Sequence, residues 1–325
     1  MQVNDFLENS VKKHPDKPAV FHDNRWITYA EIEISTNRLS HLLRNNGIER
    51  QDRVAIFCNN SFEYIISYFA ILKIGAIAVP LNSVASAREI TYIANSCQVK
   101  ALLTNMRMRE SFLSVFPNIE SMRLLVVNQD VLPGWDSNRS IQVCRWEEAY
   151  QTSPVEPPSV QCSDKDLESI VFTSGSTGTP KGVMLSHLNT VSNMYSICQY
   201  LKLSASDRVM VVLPFSYIYG KSLLLTHFCV GGSVVIDNRF VYPNVVLKSM
   251  VDNEVTGFAG VPSTFAILLN KSALPKMEFR TLRYVTQAGG NMAPAVQKKV
   301  VEAFAPAQVY IMYGATEAAP RLFLP

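Results

Sequence analysis

Residues 173–182 read T-S-G-S-T-G-T-P-K-G, and the reading of this stretch decides the fold. It follows the apolar run Ile170-Val171-Phe172, so a strand is expected to feed a polar loop rich in glycine and hydroxyl side chains. Such a loop suits an anion. Gly175 and Gly178 let the backbone approach closely with its N–H groups turned inward, Ser174, Ser176 and Thr177 add hydroxyls, and Lys181 adds a positive charge. The spacing is not that of the Walker phosphate loop. Pro180 precedes Lys181, and Gly182 stands where that loop carries its magnesium-binding hydroxyl. On composition alone, a Ser/Thr/Gly-rich surface turn or linker is the other reading.

Continued by Val183-Met184-Leu185-Ser186-His187, the stretch resembles the phosphate-binding loop of the adenylate-forming superfamily, which comprises acyl- and aryl-CoA ligases, luciferases and peptide-synthetase adenylation domains. A second segment, Tyr313-Gly314-Ala315-Thr316-Glu317, resembles that family's adenine- and magnesium-binding signature. The likeness runs along the whole chain. It implies an α/β fold, the large N-terminal domain of the adenylate-forming enzymes: two α/β subdomains with mixed, largely parallel sheets flanked by helices. Residues 1–165 are expected to form the first part, and residues 166–325 the second, with the phosphate loop and the nucleotide and acid pocket. Full-length relatives continue past the equivalent of Pro325 with a ribose-binding aspartate, a hinge and a small C-terminal domain that supplies a catalytic lysine. That domain is therefore expected to be absent, and these residues are expected to be nearly inactive in adenylation alone.

The resemblance also assigns roles. The substrates it implies are ATP, a carboxylic acid, and the thiol of coenzyme A or of a carrier-protein phosphopantetheine. Thr173, Ser174, Gly175, Ser176, Thr177, Gly178 and Lys181 would hold the phosphates, with Lys181 and Thr316 the catalytic pair. Gly289, Gly290 and Asn291 would let the nucleotide lie against bare backbone, followed by Tyr313, Gly314, Ala315 and Thr316. In this scheme Tyr313 stacks on adenine, Thr316 bonds the α-phosphate, and Glu317 holds Mg²⁺ with the hydroxyl of Thr173. An aromatic face does suit a purine, and a hard cation takes oxygen ligands. Tyr217, Gly260, Val261 and Ala288 would line the acid pocket. The segment around Tyr217 departs from many acyl-CoA ligases, which carry a histidine there. A tyrosine can pack against an acyl-adenylate but does not exchange a proton near neutral pH. Residues 214–225 contain no acidic side chain, and Ile218 stands where amino-acid-activating members have an aspartate. An ammonium would lie there unpaired, which favours a fatty, short-chain or aryl acid. Lys221 reads either as a ligand for a second carboxylate or as a solvated surface lysine.

The remaining composition is that of an ordinary globular protein. Of 325 residues, 48% are hydrophobic and 18% charged, which excludes disordered and fibrous classes, and a net charge of +3 gives no argument for nucleic acid. No stretch reaches the roughly 18 apolar residues of a membrane span. The opening residues, with Asp5 and Glu8, lack the pattern of a signal peptide, and a cytoplasmic location is expected. Six cysteines and five histidines are dispersed without ligand spacing, so neither a disulfide scaffold nor a transition-metal site is expected. His187 reads as structural or, less simply, as a general base.

Local patterns fill in the rest. Residues 6–12 suggest a helix, 19–28 a hairpin, and Thr28 with Glu31 a capping box opening a helix that ends at Gly47. A strand at 53–58, a helix at 62–74 and a strand at 76–80 make a parallel crossover, with further units around 90–103 and 124–127. Residues 132–166 read as an irregular connection. Two other functions stay open: a short nucleotide- or acyl-binding module that needs a partner to complete it, and an ATPase, which the loop spacing disfavours.

Overall fold

The computed structural model describes residues 1–105, 118–128, 141–152, 154–173 and 180–322. Its elements, in chain order, are α1 (Asp5–Lys13), β1 (Pro18–His22), β2 (Arg25–Thr28), α2 (Tyr29–Asn45), β3 (Arg53–Phe57), α3 (Phe62–Lys73), β4 (Ile77–Pro80), α4 (Ala87–Cys97), β5 (Ala101–Thr104), β6 (Leu124–Val127), β7 (Gln142–Arg145), α5 (Trp146–Thr152), β8 (Leu167–Thr173) and β9 (Lys181–Ser186). There follow α6 (His187–Tyr200), β10 (Arg208–Val211), α7 (Ile218–Val230), β11 (Ser233–Ile236), α8 (Pro243–Asp252), β12 (Gly257–Gly260), α9 (Pro262–Lys271), β13 (Tyr284–Gln287), α10 (Pro294–Phe304), β14 (Gln308–Ile311), β15 (Tyr313–Gly314) and β16 (Arg321–Leu322). The chain forms two compact units, Met1–Glu8 with Ala30–Leu188, and Asn9–Tyr29 with Asn189–Pro325.

The first unit holds a seven-stranded sheet in the order β7-β6-β5-β3-β4-β8-β9, parallel except for the antiparallel edge pair β8 and β9. Its central strands are buried along their length and apolar but for Thr104, as strands covered on both faces are. α3 is apolar all round and buried from Tyr64 to Lys73, and its first turn is capped by Ser61, whose hydroxyl accepts from the Tyr64 amide at 3.2 Å. The one charge on that buried stretch, Lys73, is paired with Glu8 at 2.9 Å and Glu33 at 2.8 Å. Trp146 packs over the end of β5, its indole N–H donating to the Thr104 carbonyl at 2.9 Å. Tyr150 stacks on Trp146 with centroids 6.4 Å apart, and Phe62 lies 6.5 Å from Tyr150.

The second unit holds another seven-stranded sheet, β14-β13-β12-β10-β11-β1-β2, again parallel except for one antiparallel edge pair, β1 and β2. Its core gathers Met210, Val235, Val246, Leu247, Phe258, Phe265, Val285 and Phe304 between the sheet and its helices. Tyr29 seals the β1 edge, its hydroxyl donating to the Gly232 carbonyl at 2.7 Å.

Two expectations are changed here. The strands flanking residues 174–180 do not open the second part of the chain. β8 joins the first sheet beside β4 through Ala78↔Ser169, while the early β1–β2 hairpin joins the second sheet through Val20↔Val234. Parallel pairing of this kind depends on distant partners and leaves no local trace. Nor are residues 132–166 irregular throughout: β7 pairs with β6, and α5 follows it, because Cys144, Trp146 and Ala149 supply a buried face. Among the described residues, no helix is long and apolar enough to cross a membrane.

Candidate functional site

In the second sheet the chain leaves β10 for β11 on one side, then returns past β10 to β12 on the other. Successive connections therefore diverge from the carboxyl ends of β10 and β12, which opens a crevice there. A cavity of about 430 Å³ occupies this position. Its lining follows the carboxyl ends of neighbouring strands: Leu213, Pro214 and Tyr217–Gly220 after β10, Val261 after β12, Ala288 and Gly289 after β13, and Gly314–Thr316, Pro320 and Arg321 from the segment after β14.

Small residues keep the cavity open. α7 starts directly over the 213–214 backbone, and a Cβ on Gly220 would stand 2.1 Å from the Pro214 carbonyl oxygen, so only glycine fits. Gly289 has φ +81°, a backbone that side chains disfavour, and a Cβ there would also press on Val261 at 3.1 Å. Tyr217 caps α7 without a side-chain bond to the helix and keeps 52% of its surface exposed, so its ring forms a wall at the mouth. Tyr219, behind it, is buried, its hydroxyl 2.8 Å from that of Thr286.

The segment that resembles the family signature forms a small ribbon. Tyr313 and Gly314 pair antiparallel with β16, Gly314 opposite Arg321, and the Ala315 amide donates to the Pro320 carbonyl at 2.9 Å. Thr316–Ala318 make a single tight helical turn between the strands. A Cβ on Gly314 would meet the Pro320 carbonyl oxygen at 2.2 Å, so this glycine is demanded by the ribbon itself. Thr316 faces the cavity, Glu317 beside it is exposed, and Tyr313 presents a ring that is 64% exposed.

A second depression adjoins the first and shares Gly289 and Gly314 with it; Gln287, Gly290, Asn291, Met292, Ile311, Met312 and Tyr313 complete its lining. Gln287 is fully buried there. Its amide nitrogen donates to the Gly290 carbonyl at 2.9 Å, which leaves its carbonyl oxygen buried with no partner. A flat exposed ring, two glycines and an unsatisfied acceptor are what a purine with an exocyclic amino group requires.

Sequence reasoning missed Arg321. It is only 3% exposed, its Cζ lies 4.9 Å from the Tyr219 ring centroid, and its terminal nitrogens are 3.3 Å from the Ser222 hydroxyl and the Met312 sulfur. Its Nε is buried without a partner. Burial pushes the guanidinium pKa down. The only local signal was its position within a few residues of the signature segment. Deeper in the same unit, His227 accepts from the Tyr284 hydroxyl at Nε2 (3.0 Å) and donates from Nδ1 to the Leu223 carbonyl (2.8 Å); burial pushes its pKa down to about 4.

The other expected residues sort as follows. Ser174, Gly175, Ser176, Thr177 and Gly178 lie outside the described residues. In the first unit, Thr173 and Lys181 face each other as the last pair of the β8–β9 ladder, with Lys181 exposed and inside the returning strand rather than in the loop. His187 is 1% exposed and its Nδ1 accepts from the Val3 amide at 3.1 Å, a structural role. In the second unit, Gly260 lies buried against α9, where a Cβ would meet Thr264 at 2.9 Å, and does not line the cavity. Lys221 is 1% exposed, so the solvated reading of it is wrong. Among the described residues, no group of three or more His, Cys, Asp and Glu side chains could hold a metal ion by itself.

Comparisons with known proteins bear on the family and the fold. The sequence model of the AMP-binding enzyme family matches residues 7–324. YngI of Bacillus subtilis (strain 168), whose name marks it as a candidate acyl-CoA synthetase, is 29% identical over 334 residues, covering 97% of this chain and 61% of that protein. An oxalate–CoA ligase of Arabidopsis thaliana is 29% identical over 323 residues, covering 96% of this chain and 60% of that one. The anthranilate CoA ligase AuaEII, solved with anthranoyl-AMP, superposes with a TM-score of 0.87 over 98% of this chain and 60% of its own, at 23% identity, a likeness that shows the fold. The chain thus spans about three fifths of the length of these relatives.

Proposed function

Because the chain belongs to the AMP-binding enzyme family, we propose that it serves ATP-dependent activation of a carboxylic acid, with the acyl group then passed to a thiol. The observation that carries this reading is the pair of depressions meeting at Gly289 and Gly314, one almost wholly apolar and the other carrying the amides of Gln287 and Asn291 beside an exposed tyrosine ring. An acyl group suits the first and an adenosine the second.

In the first half-reaction a carboxylate oxygen attacks the α-phosphorus of ATP. An oxygen–phosphorus bond forms, the bond from the α-phosphorus to its bridging oxygen breaks, and pyrophosphate leaves. In the second, a thiolate of coenzyme A or of a carrier pantetheine attacks the acyl carbon and AMP leaves. Both reactants of the first step are anions, so the catalyst must chiefly neutralise charge and align groups. Lys181 and the N–H groups of the 173–182 segment have the chemistry to carry phosphate charge, and the Thr316 hydroxyl that to bond the α-phosphate. Mg²⁺, if bound, would neutralise polyphosphate charge, and the Glu317 carboxylate and the Thr173 hydroxyl each have the hard-oxygen chemistry that would hold it. Gln287 would accept from the adenine amino group through its unpaired oxygen.

Among the described residues, the lining of the cavity contains no Asp or Glu, so an amino acid would leave its ammonium unpaired there. The substrate class is therefore an acid without an amino group beside the carboxylate. Titration calorimetry of the full chain with acylsulfamoyl-adenosines, which mimic acyl-adenylates, tests the reading. Saturable binding that competes with ATP is expected; no binding of either the analogues or ATP overturns it.

A further inference from the structure

The cavity wall is apolar almost throughout, with Leu213, Pro214, Ile218, Val261, Ala288 and Pro320, yet it includes a buried cation. Among the described residues, no carboxylate pairs with Arg321. A guanidinium offers several N–H donors in a planar fork, and here the oxygen and sulfur acceptors it meets, Ser222 and Met312, both stand at 3.3 Å, with Nε unmatched. Burying a charge without a counter-charge is costly, and neither a hydroxyl, a thioether nor the face of Tyr219 removes that cost.

The group is also held in place. The Arg321 amide donates to the Asn193 side-chain oxygen at 3.4 Å, and the Asn193 amide nitrogen donates back to the Arg321 carbonyl at 2.8 Å, so the backbone of β16 is clamped. The Tyr219 ring over the guanidinium is tied in turn to Thr286. A fixed, desolvated, under-bonded guanidinium on an apolar wall is complementary to a carboxylate, which accepts its fork through both oxygens.

We propose that Arg321 selects the acid: it pairs with a second carboxylate on the acyl chain, so that the cavity takes a dicarboxylic acid with one end activated and the other buried against the guanidinium. This rests on the acid-activation reading above. Lys221, another basic residue of the region, does not line the cavity, and among the described lining residues Arg321 is the one that carries a charge.

The test is calorimetric titration of the full chain with two series of acylsulfamoyl-adenosines of equal chain length, methyl-ended and carboxylate-ended. The carboxylate-ended series should bind at least about tenfold tighter. Arg321→Met should remove that preference and Arg321→Lys should keep part of it, whereas a purely structural arginine would change thermal stability and leave the ratio alone. The comparison on the unmodified chain needs no variant, so a variant that fails to fold does not spoil it. Equal binding of the two series, or a preference for the methyl end, overturns the dicarboxylate proposal while acid activation stands. Failure of both series to bind overturns acid activation and this proposal together.

Discussion

The first sheet runs from β3 out to β4 and returns past β3 to β5; the second runs from β10 out to β11 and returns past β10 to β12. Each has seven strands, one antiparallel edge pair and the same divergence of connections at the carboxyl ends of its central strands. They differ in the side chains that stand nearby. In the first unit, among the described residues, the rings of Phe62, Tyr150 and Trp146 gather beside the end of β5, Trp146 bonded to the Thr104 carbonyl. In the second, Gly220, Ala288, Gly289 and Gly314 border it, and a cavity of about 430 Å³ remains. Topology supplies the crevice in both; among the described residues, aromatic rings stand beside the one and glycine and alanine border the other.

The sharpest way to break this comparison is Trp146→Ala, which removes the buried indole at the end of β5. It should cost about 3–5 kcal/mol in urea unfolding, the range for deleting a buried indole, since the Thr104 carbonyl also loses its donor. A loss under about 1 kcal/mol would mean that the aromatic cluster is dispensable.

The second unit carries a buried histidine that should make it sensitive to mild acid. His227 titrates near pH 6.5 when unfolded and is pushed down to about 4 by burial in the fold, so between those values the unfolded chain takes up a proton that the folded chain refuses. Its contribution is complete above pH 6.5 and falls away as pH drops toward 4, by roughly 3 kcal/mol in all. Urea midpoints measured across that window should fall with acidification, and His227→Gln should flatten the slope.

Gly220→Ala tests the open side of the comparison. Its Cβ meets backbone, which cannot move aside as a side chain can, so a loss of about 1–3 kcal/mol is expected together with weakened analogue binding. Unchanged stability and unchanged affinity would show that close approach of α7 does not hold the cavity. Tyr313→Ala should have the smallest effect on folding, because the ring is largely exposed, but should weaken acylsulfamoyl-adenosine binding about tenfold, the scale of one base stacked on an aromatic ring.

The sequence disclosed much of the local structure because the signals were local. The apolar runs at β3 and β4 and the helix α3 between them were each readable within a few residues. Tyr217, Val261, Ala288, Gly289 and Thr316, named through the family resemblance, line one cavity. What was not legible depended on distance along the chain. Nothing near Val20 announces a partner at Val234, and nothing near Arg321 says that Tyr219 and Ser222 will bury it. Gly260 illustrates the converse: a glycine read as lining the pocket is small because α9 packs against it.

The placement of β1 also bears on biosynthesis. This strand leaves the ribosome near the start of translation, yet the neighbour it runs beside, β11, is made more than two hundred residues later. At roughly 5–20 residues per second, the β1–β2 hairpin must wait for on the order of ten seconds or more with one flank uncovered. Fragments cut between the two units would strand that hairpin with the wrong partner, and chaperone occupancy on the nascent chain should be highest in the same interval.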